Sequence, residues 1–361
     1  LPLIIYFQYE APAFSFLANV AAVPLATCAF TLAFLLIFLP YTVFHEAISW
    51  MIQGVLWISR QSYGMLTIGH VPFLWVLLFY FMTGLWIWKK NGQNRHIRIS
   101  LAYVIMIILI WIPMARRKSL AFLDVGQGDC FVADTKSGMI IFDGGSSSED
   151  QVGRYRILPY MKYLGYQKIQ IAVISHMDID HYSGIKELLE MGKIKYLGLP
   201  EIPKDETMKK IIGIAKKRGT TIFYLSRGRQ ITTKDGSLKV LHPQKNSQME
   251  KNAASLVMQG KILGYRVLLT GDVEKEGEEE LLSEELERAD ILKAAHHGSK
   301  NSTSNEFLQK VQPKQTVISC GKQNRYGHPH LETIHRLQTY RTKIYRTDRS
   351  GAIIFFKRRD G

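Results

Sequence analysis

Residues 175–181 read Ser-His-Met-Asp-Ile-Asp-His and directly follow the apolar run Ile169–Ile174. Two imidazoles, His176 and His181, and two carboxylates, Asp178 and Asp180, therefore fall in one turn after a buried strand, which can point several ligands to one side. Neutral imidazole with carboxylate suits Zn²⁺, Mn²⁺ or Fe²⁺, and the oxygen-rich mix leans away from purely soft sites. Two further strand ends add to the set. Leu268-Leu269-Thr270-Gly271-Asp272 puts a carboxylate after a second apolar run, and Ile291-Leu292-Lys293-Ala294-Ala295-His296-His297-Gly298-Ser299 puts a histidine pair after a third. Turns favour Asp, so Asp272 alone says little. Three strand ends that all carry hard or borderline ligands point to one centre. His176, Asp178, Asp180, His181, Asp272 and one of His296 or His297 suffice for two metals if Asp272 bridges them.

Ligands of this kind need elements that end at a common edge. From Ser119 onward, Ser119–Asp124, Asp129–Asp134 and Met139–Phe142 read as an antiparallel meander with turn signals at Gly126-Gln127-Gly128 and Ser137-Gly138. Helix-like and strand-like segments follow at 156–164, 168–175, 181–191, 207–218 and 237–241. A second group lies at 254–259, 261–269, 274–287, 290–295, 304–311, 316–319, 331–339 and 352–356. Strands thus come in two clusters, each with helices around it, which suits two sheets packed face to face with helices outside. The acidic run Glu274–Glu280, backed by Leu281, Leu282 and Leu286, reads as a solvated helix face.

The first 115 residues have a different solvent preference. Of the chain's net charge of +15 they carry only +3, leaving +12 on residues 116–361, and the mean hydropathy of −0.03 averages over that division. Stretches near 13–39, 71–88 and 99–115 match the roughly 20 apolar residues that span a hydrocarbon core. The second ends in Trp86, Trp88, Lys89 and Lys90, an aromatic and then basic edge of the headgroup type, and the third is closed by Arg116, Arg117 and Lys118. Residues 41–70 suit a helix lying in the interface, with His45 and Glu46 as ordinary solvated groups. The connection 89–98 has four basic residues and no acid, so it is expected on the cytoplasmic side, and one further span places everything after Ala115 on the outer face. Cys28, Cys130 and Cys320 are too few for a disulfide framework. The chain opens at Leu1 within an apolar stretch and reads as part of something longer.

The H-x-D-x-D-H run at 176–181, Phe142-Asp143-Gly144-Gly145, Gly271-Asp272 and His296-His297-Gly298-Ser299 together resemble the metallo-β-lactamase superfamily, hydrolases with a four-layer αββα sandwich. Leu123-Asp124-Val125-Gly126-Gln127-Gly128-Asp129 and Asn324-Arg325-Tyr326-Gly327-His328-Pro329, following membrane-type segments, narrow the resemblance to the C-terminal part of the ComEC family of DNA-internalisation channels. It covers essentially all of 119–358. The apolar part resembles the family by position and by the run Asn19–Pro24. Asp178 stands where the superfamily more often has a second His, as it also does in the ComEC branch. The resemblance implies an α-helical membrane segment over 1–115, a fragment of a channel domain, and a hydrolase domain over 116–361. It implies two divalent ions, Zn²⁺ or Mn²⁺, one held by His176, Asp178 and Asp272 and the other by Asp180, His181, Asp272 and His297. His242 is the candidate for a further first-site ligand, beside a loop-capping role, and Asp143 is a structural brace.

Two such ions suit in-line hydrolysis of a phosphodiester. Asp180 is the catalytic carboxylate in this reading, His296 or His328 protonates the leaving oxygen, and Lys293, Ser299, Lys322 and Asn324 are candidates for holding phosphate. The charge of +12, with basic clusters at 209–210, 216–218, 227–229, 341–349 and 357–359, suits a polyanion. Tyr340 and Tyr345 lie among the clusters and could stack on single-stranded bases. The expected partners are DNA, as a single strand, membrane lipid and other DNA-uptake proteins, with an oligomer allowed. The expected role is DNA uptake in natural transformation, with the hydrolase degrading the strand that does not enter, in a multi-pass protein of the cell membrane whose hydrolase faces outward. The alternatives are a same-fold hydrolase of a small phospho- or carboxylic ester and a non-catalytic DNA-binding module.

Overall fold

The computed structural model describes residues 2–12, 15–36, 38, 42–60, 64–88, 100–101, 104, 117–249 and 252–358. The chain divides into two compact units, Leu1–Met114 and Ala115–Gly361. The first contains helices α1 (Pro2–Gln8), α2 (Ser15–Leu35), α3 (Thr42–Arg60) and α4 (Phe73–Trp88). Strands β1 (Glu10–Pro12) and β2 (Met65–Thr67) pair antiparallel. Helices α2 and α4 fall in the first two apolar stretches and α3 in the connection between them. The basic connection 89–98 and most of the stretch 99–115 lie outside the described residues. Among the described residues no helix is long and apolar enough to cross a membrane; α4, at 16 residues, is about 24 Å long.

The second unit is built from two seven-stranded mixed sheets. The first contains β3 (Ser119–Phe122), β4 (Phe131–Thr135), β5 (Gly138–Phe142), β6 (Ile169–Val173), β7 (Ile194–Pro200) and β8 (Thr221–Leu225). The second contains β9 (Gln230–Thr233), β10 (Gly236–His242), β11 (Val257–Ile262), β12 (Tyr265–Leu269), β13 (Ile291–Lys293), β14 (Gln315–Ile318) and β15 (Lys343–Arg346). The last strand, β16 (Ile353–Phe356), returns to the first sheet beside β3. In each sheet four neighbouring strands are antiparallel, β16–β3–β4–β5 in the first and β9–β10–β11–β12 in the second, and the last of these starts a parallel run: β5–β6–β7–β8 in the first, β12–β13–β14–β15 in the second.

Period-two alternation divides each strand between two cores. Leu120, Phe122, Phe142 and Val173 of the first sheet face Val240, Met258, Val267 and Ile291 of the second. On the other side of the first sheet, Val132, Ile141 and Leu197 pack with Met161 of α5 (Leu158–Tyr163), Ile185 and Leu188 of α6 (Ile179–Glu190), and Ile211 of α7 (Glu206–Lys217). Beyond the second sheet, Val257, Leu268 and Leu292 meet Leu281 of α8 (Lys275–Leu282), Phe307 of α9 (Asn305–Val311) and Leu337 of α10 (Leu331–Thr339). The architecture is a four-layer α-β-β-α sandwich, and each fully buried large side chain contributes about 1.5–3 kcal/mol to it. Strands β7, β8, β9 and β15 were not among the segments read from sequence. The last three are sheet edges, half-exposed and mixed in composition, so their hydrophobic pattern is weak. The acidic run is corrected at one position. Glu278 is buried in α8, where burial pushes its carboxyl up, and it accepts the backbone N–H groups of Thr303 and Ser304.

Candidate metal centre

The loops that follow β5, β6, β12 and β13 meet at the carboxyl ends of these strands. Asp143 leaves β5 with φ of 57°. Its Oδ1 accepts the Ser175 N–H at 2.7 Å and its Oδ2 accepts His181 Nδ1–H at 3.0 Å. A carboxylate only accepts, so His181 must carry its proton on Nδ1 and keep Nε2 for the site. His297 is fixed likewise, its Nδ1 donating to the Ser319 carbonyl at 2.9 Å. His296 and His297 both lie in the left-handed region, at φ of 47° and 52°, a strained pair for non-glycine residues that turns the two rings in different directions. His176 Nδ1 lies 3.0 Å from Ser175 Oγ and 3.3 Å from Ser255 Oγ.

The Nε2 atoms of His176, His181 and His297 are buried without a hydrogen-bond partner. Asp272 Oδ2 lies 3.2 Å from His181 Nε2 and 3.3 Å from His297 Nε2, and Asp180 Oδ2 is 3.3 Å from His297 Nε2. Unsatisfied imidazole nitrogens converging on carboxylate oxygens, each ring held from behind by an acceptor, fit a divalent cation. Asp129, His181, Asp272 and His297 offer ligand atoms all within 4.8 Å of one another. Asp129, however, lies on the Nδ1 side of both rings, 3.6 Å from His297 Nδ1 and 3.7 Å from His181 Nδ1, where the nitrogens are already engaged. The Nε2 side therefore belongs to His181, His297, Asp272 and Asp180. His176 and Asp178 form an adjacent pair, Nε2 to Oδ2 3.7 Å, with the His176 ring 4.1 Å from that of His181.

The charges are strongly coupled. Burial opposes ionisation of Asp272, yet His181, His297 and Lys293 hold its carboxyl well below the usual range. Asp180 sits at about 2, because His297 and His181 outweigh the effect of its burial. Burial works against the His297 imidazolium as well, but Asp272 and Asp129 raise it to about 10, and Asp272 and Asp143 raise His181 well above its ordinary value.

An open cleft of about 270 Å³ is bounded by Asp178, Asp180, Asp272, His296, His297 and His328. The two proton-donor candidates differ here. Burial and the neighbouring imidazoles of His297, His296 and His330 push His328 down to about 4, so at neutral pH it has no proton to give as an imidazolium. His296 is set between two carboxylates, with Nδ1 2.8 Å from Glu274 Oε1 and Nε2 3.8 Å from Asp272 Oδ2.

Three expected phosphate ligands are placed elsewhere. Lys293 is buried, paired with Asp129, with its ammonium donating to the Gly271 carbonyl at 2.9 Å. Ser299 is buried in the turn after His297, its oxygens accepting from Asn301, Ser302 and Thr333. Asn324 staples its own loop, donating to the carbonyls of Gly321 and His328 and accepting the His328 N–H. Lys322 is exposed on that loop. His242 donates Nδ1–H to the Ser255 carbonyl and faces Glu280 at 3.6 Å, away from the ligand group. Tyr345 and Tyr340 are half-buried, packing against the inter-sheet core and the core beneath α10 respectively. Tyr326, 43% exposed at the cleft rim with Arg325 over its ring at 4.9 Å, has the properties they were expected to supply. In the sequence Asp129, Arg325 and Tyr326 stand out only as letters of motifs, and Glu274 only as the first residue of an acidic run. For the first three the signal was the motif itself.

The metallo-beta-lactamase superfamily matches residues 123–322. ComE operon protein 3 of Bacillus subtilis is 34% identical over 294 residues, 76% of this chain and 38% of that protein. Competence protein ComA of Neisseria gonorrhoeae is 30% identical over 248 residues, 66% and 32% of the two chains. Recombination protein 2 of Haemophilus influenzae is 27% identical over 268 residues, 73% and 32%. The chain thus spans about a third of the length of these relatives. By the superfamily match and by these relatives, the chain belongs to the metallo-beta-lactamase superfamily and, within it, to the ComEC family.

Proposed function

We propose that the second unit is a metal-dependent phosphodiesterase acting on DNA during uptake, cleaving the strand that is not transported. The observation that carries this is the convergence of the His181 and His297 Nε2 atoms on Asp272 and Asp180 at the floor of an open cleft. His181, His297, Asp272 and Asp180 would hold one divalent ion, and His176 and Asp178 a second that shares Asp272, with Mn²⁺ or Zn²⁺ as the ions that suit this donor set. A divalent cation there supplies Lewis acidity toward a phosphoryl oxygen. Asp143 and the Ser319 carbonyl orient the two imidazoles, Glu274 holds His296 where it can deliver a proton to the leaving oxygen, and Arg325 with Tyr326 engages the flanking nucleotide at the rim. The net charge of +12 on residues 116–361 favours a polyanion.

The first unit we read as part of a membrane-embedded channel, with the hydrolase on the outer face and DNA, lipid and other uptake proteins as partners. Of the 28 large apolar side chains exposed among the described residues, 22 lie in residues 1–114, more than a water-facing surface carries. Phe30, Phe34, Leu74 and Phe81, each over half exposed, lie on α2 and α4, and α2 has no charged residue over its 21 positions.

The test is cleavage of labelled single- and double-stranded oligonucleotides by the full chain in detergent with Mn²⁺ or Zn²⁺. Metal-dependent cutting that Asp180→Ala abolishes is expected. Cutting that survives this change, or needs no metal, overturns the mechanism. The modest volume of the cleft favours a small ester as the second reading, and a higher kcat/KM on such an ester than on DNA would establish it. Salt-sensitive DNA binding without metal retention would instead mark a non-catalytic module.

A further inference from the structure

Lys293 is the last residue of β13 and is 4% exposed, so its amino group is held in the interior. Its ammonium pairs with Asp129, donates to the Gly271 carbonyl at 2.9 Å and lies 3.4 Å from Asp272 Oδ1. Asp129 is itself tied to the turn that carries Asp180: its N–H donates to the Asp180 carbonyl at 3.0 Å, and its own carbonyl accepts the Gly145 N–H at 3.1 Å. One ammonium thus joins the β3–β4 connection, the end of β12 and the end of β13. Taking two charges out of water is costly, and an apolar pair of the same size is often as stable, so fold stability alone is a weak reason for a lysine here.

The direction of the Lys293 contact to Asp272 is informative. It falls on Oδ1, whereas His181 and His297 meet Oδ2. Asp129 pairs with the ammonium and lies 3.6 and 3.7 Å from the Nδ1 atoms of His297 and His181, the nitrogens turned away from Asp272 Oδ2. Building on the metal reading above, we propose that Lys293, counter-charged by Asp129, is a positioning residue that holds Asp272 by Oδ1, so that Oδ2 alone is presented to the cation held by His181 and His297. The pair acts through Asp272 and touches neither substrate nor cation.

Two variants of the full chain separate positioning from simple charge compensation. Lys293→Met removes the contact to Asp272 and leaves Asp129 buried and uncompensated. Lys293→Met combined with Asp129→Asn removes that imbalance but does not restore the contact. The readouts are Mn²⁺ affinity by electron paramagnetic resonance and Tm of the metal-free protein. The single variant should lose both stability and about 10–100-fold in Mn²⁺ affinity, the range for residues that orient ligands. The double variant should recover most of the Tm while its affinity stays low. Wild-type affinity in either variant overturns the proposal. A double variant that cannot fold overturns it too, because the pair would then belong to the fold. Failure of the wild-type chain to bind Mn²⁺ would overturn the metal reading as a whole, a result separate from loss of the contrast between the variants.

Discussion

At the residue scale the centre depends on which nitrogen of each imidazole carries a proton. His181 and His297 spend Nδ1 on Asp143 and the Ser319 carbonyl, and their raised pKa values mean that, without metal, Nε2 is also protonated at neutral pH. A cation must displace those protons. Metal uptake is therefore expected to release about one to two protons at pH 7, and affinity should fall as pH is lowered, because protonation competes for the same atoms. Calorimetric titration of Mn²⁺ in buffers of different ionisation enthalpy measures the release; heats independent of buffer would contradict the assignment of Nε2 as ligand. His296 takes a separate prediction. His296→Asn should lower kcat by about 10²-fold while leaving Mn²⁺ stoichiometry unchanged, and Glu274→Gln should do less. The sequence displayed His176, Asp178, Asp180, His181, Asp272 and the His296-His297 pair, because ligands after apolar runs stand out by type and spacing. It did not show that Lys293 faces inward or that Asn324 and Ser299 are spent on their own turns. Those roles follow from which backbone groups each side chain meets, and spacing along the chain does not encode that.

At the element scale the strands are scaffolding for four loops, and two glycines allow those loops to touch. A Cβ on Gly145 would stand 2.6 Å from the Asp180 carbonyl carbon and the His181 nitrogen, and one on Gly128 would stand 2.2 Å from the Gly145 oxygen. All of these obstacles are backbone, so none can rotate away. Gly126-Gln127-Gly128 was legible as a turn; its tight packing under the Asp180–His181 turn was not, since no local propensity reports a contact with a segment 50 residues on. Gly145→Ala is predicted to destabilise by about 3 kcal/mol and, in whatever folded fraction remains, to displace Asp180 and weaken Mn²⁺ binding. Gly213, exposed in α7 with nothing within 4 Å of an added Cβ, is the control: Gly213→Ala should stabilise by about 0.5–1 kcal/mol and leave the metal untouched. Thermal melts and Mn²⁺ titrations of the two variants read both effects. A Gly145→Ala protein with wild-type Tm and affinity would mean that the loops are not packed as described. Central strands such as β6 and β12 were visible as apolar runs, while β8, β9 and β15 escaped because an edge strand shows only half its residues to a core.

At the scale of the whole molecule the charge and the exposed apolar surface lie in different parts of the sequence, with +12 on residues 116–361 and most exposed large apolar groups in residues 1–114. That partition was legible from composition, since counting charged residues requires no knowledge of the fold. The basic surface has two competing explanations, attraction to a nucleic acid and attraction to anionic lipid, and salt alone weakens both. They differ in what depends on the cleft. A single strand engaged at the Arg325–Tyr326 rim should bind with a logarithmic salt slope of about −0.7 per phosphate, so about five contacts would cost roughly a hundredfold in affinity between 50 and 200 mM salt. Tyr326→Ala should reduce the salt-independent part, because stacking contributes about 1–3 kcal/mol per base and does not involve counterions. Binding of vesicles rich in anionic lipid has no reason to respond to Tyr326. The measurement is fluorescence anisotropy of a labelled single strand across salt, for wild type and Tyr326→Ala, beside vesicle co-sedimentation of the same proteins. Parallel salt lines offset by the stacking contribution, with unchanged sedimentation, assign the cleft rim to DNA. Superimposed lines with strong vesicle binding would assign the basic surface to the membrane and leave the cleft to a smaller ester.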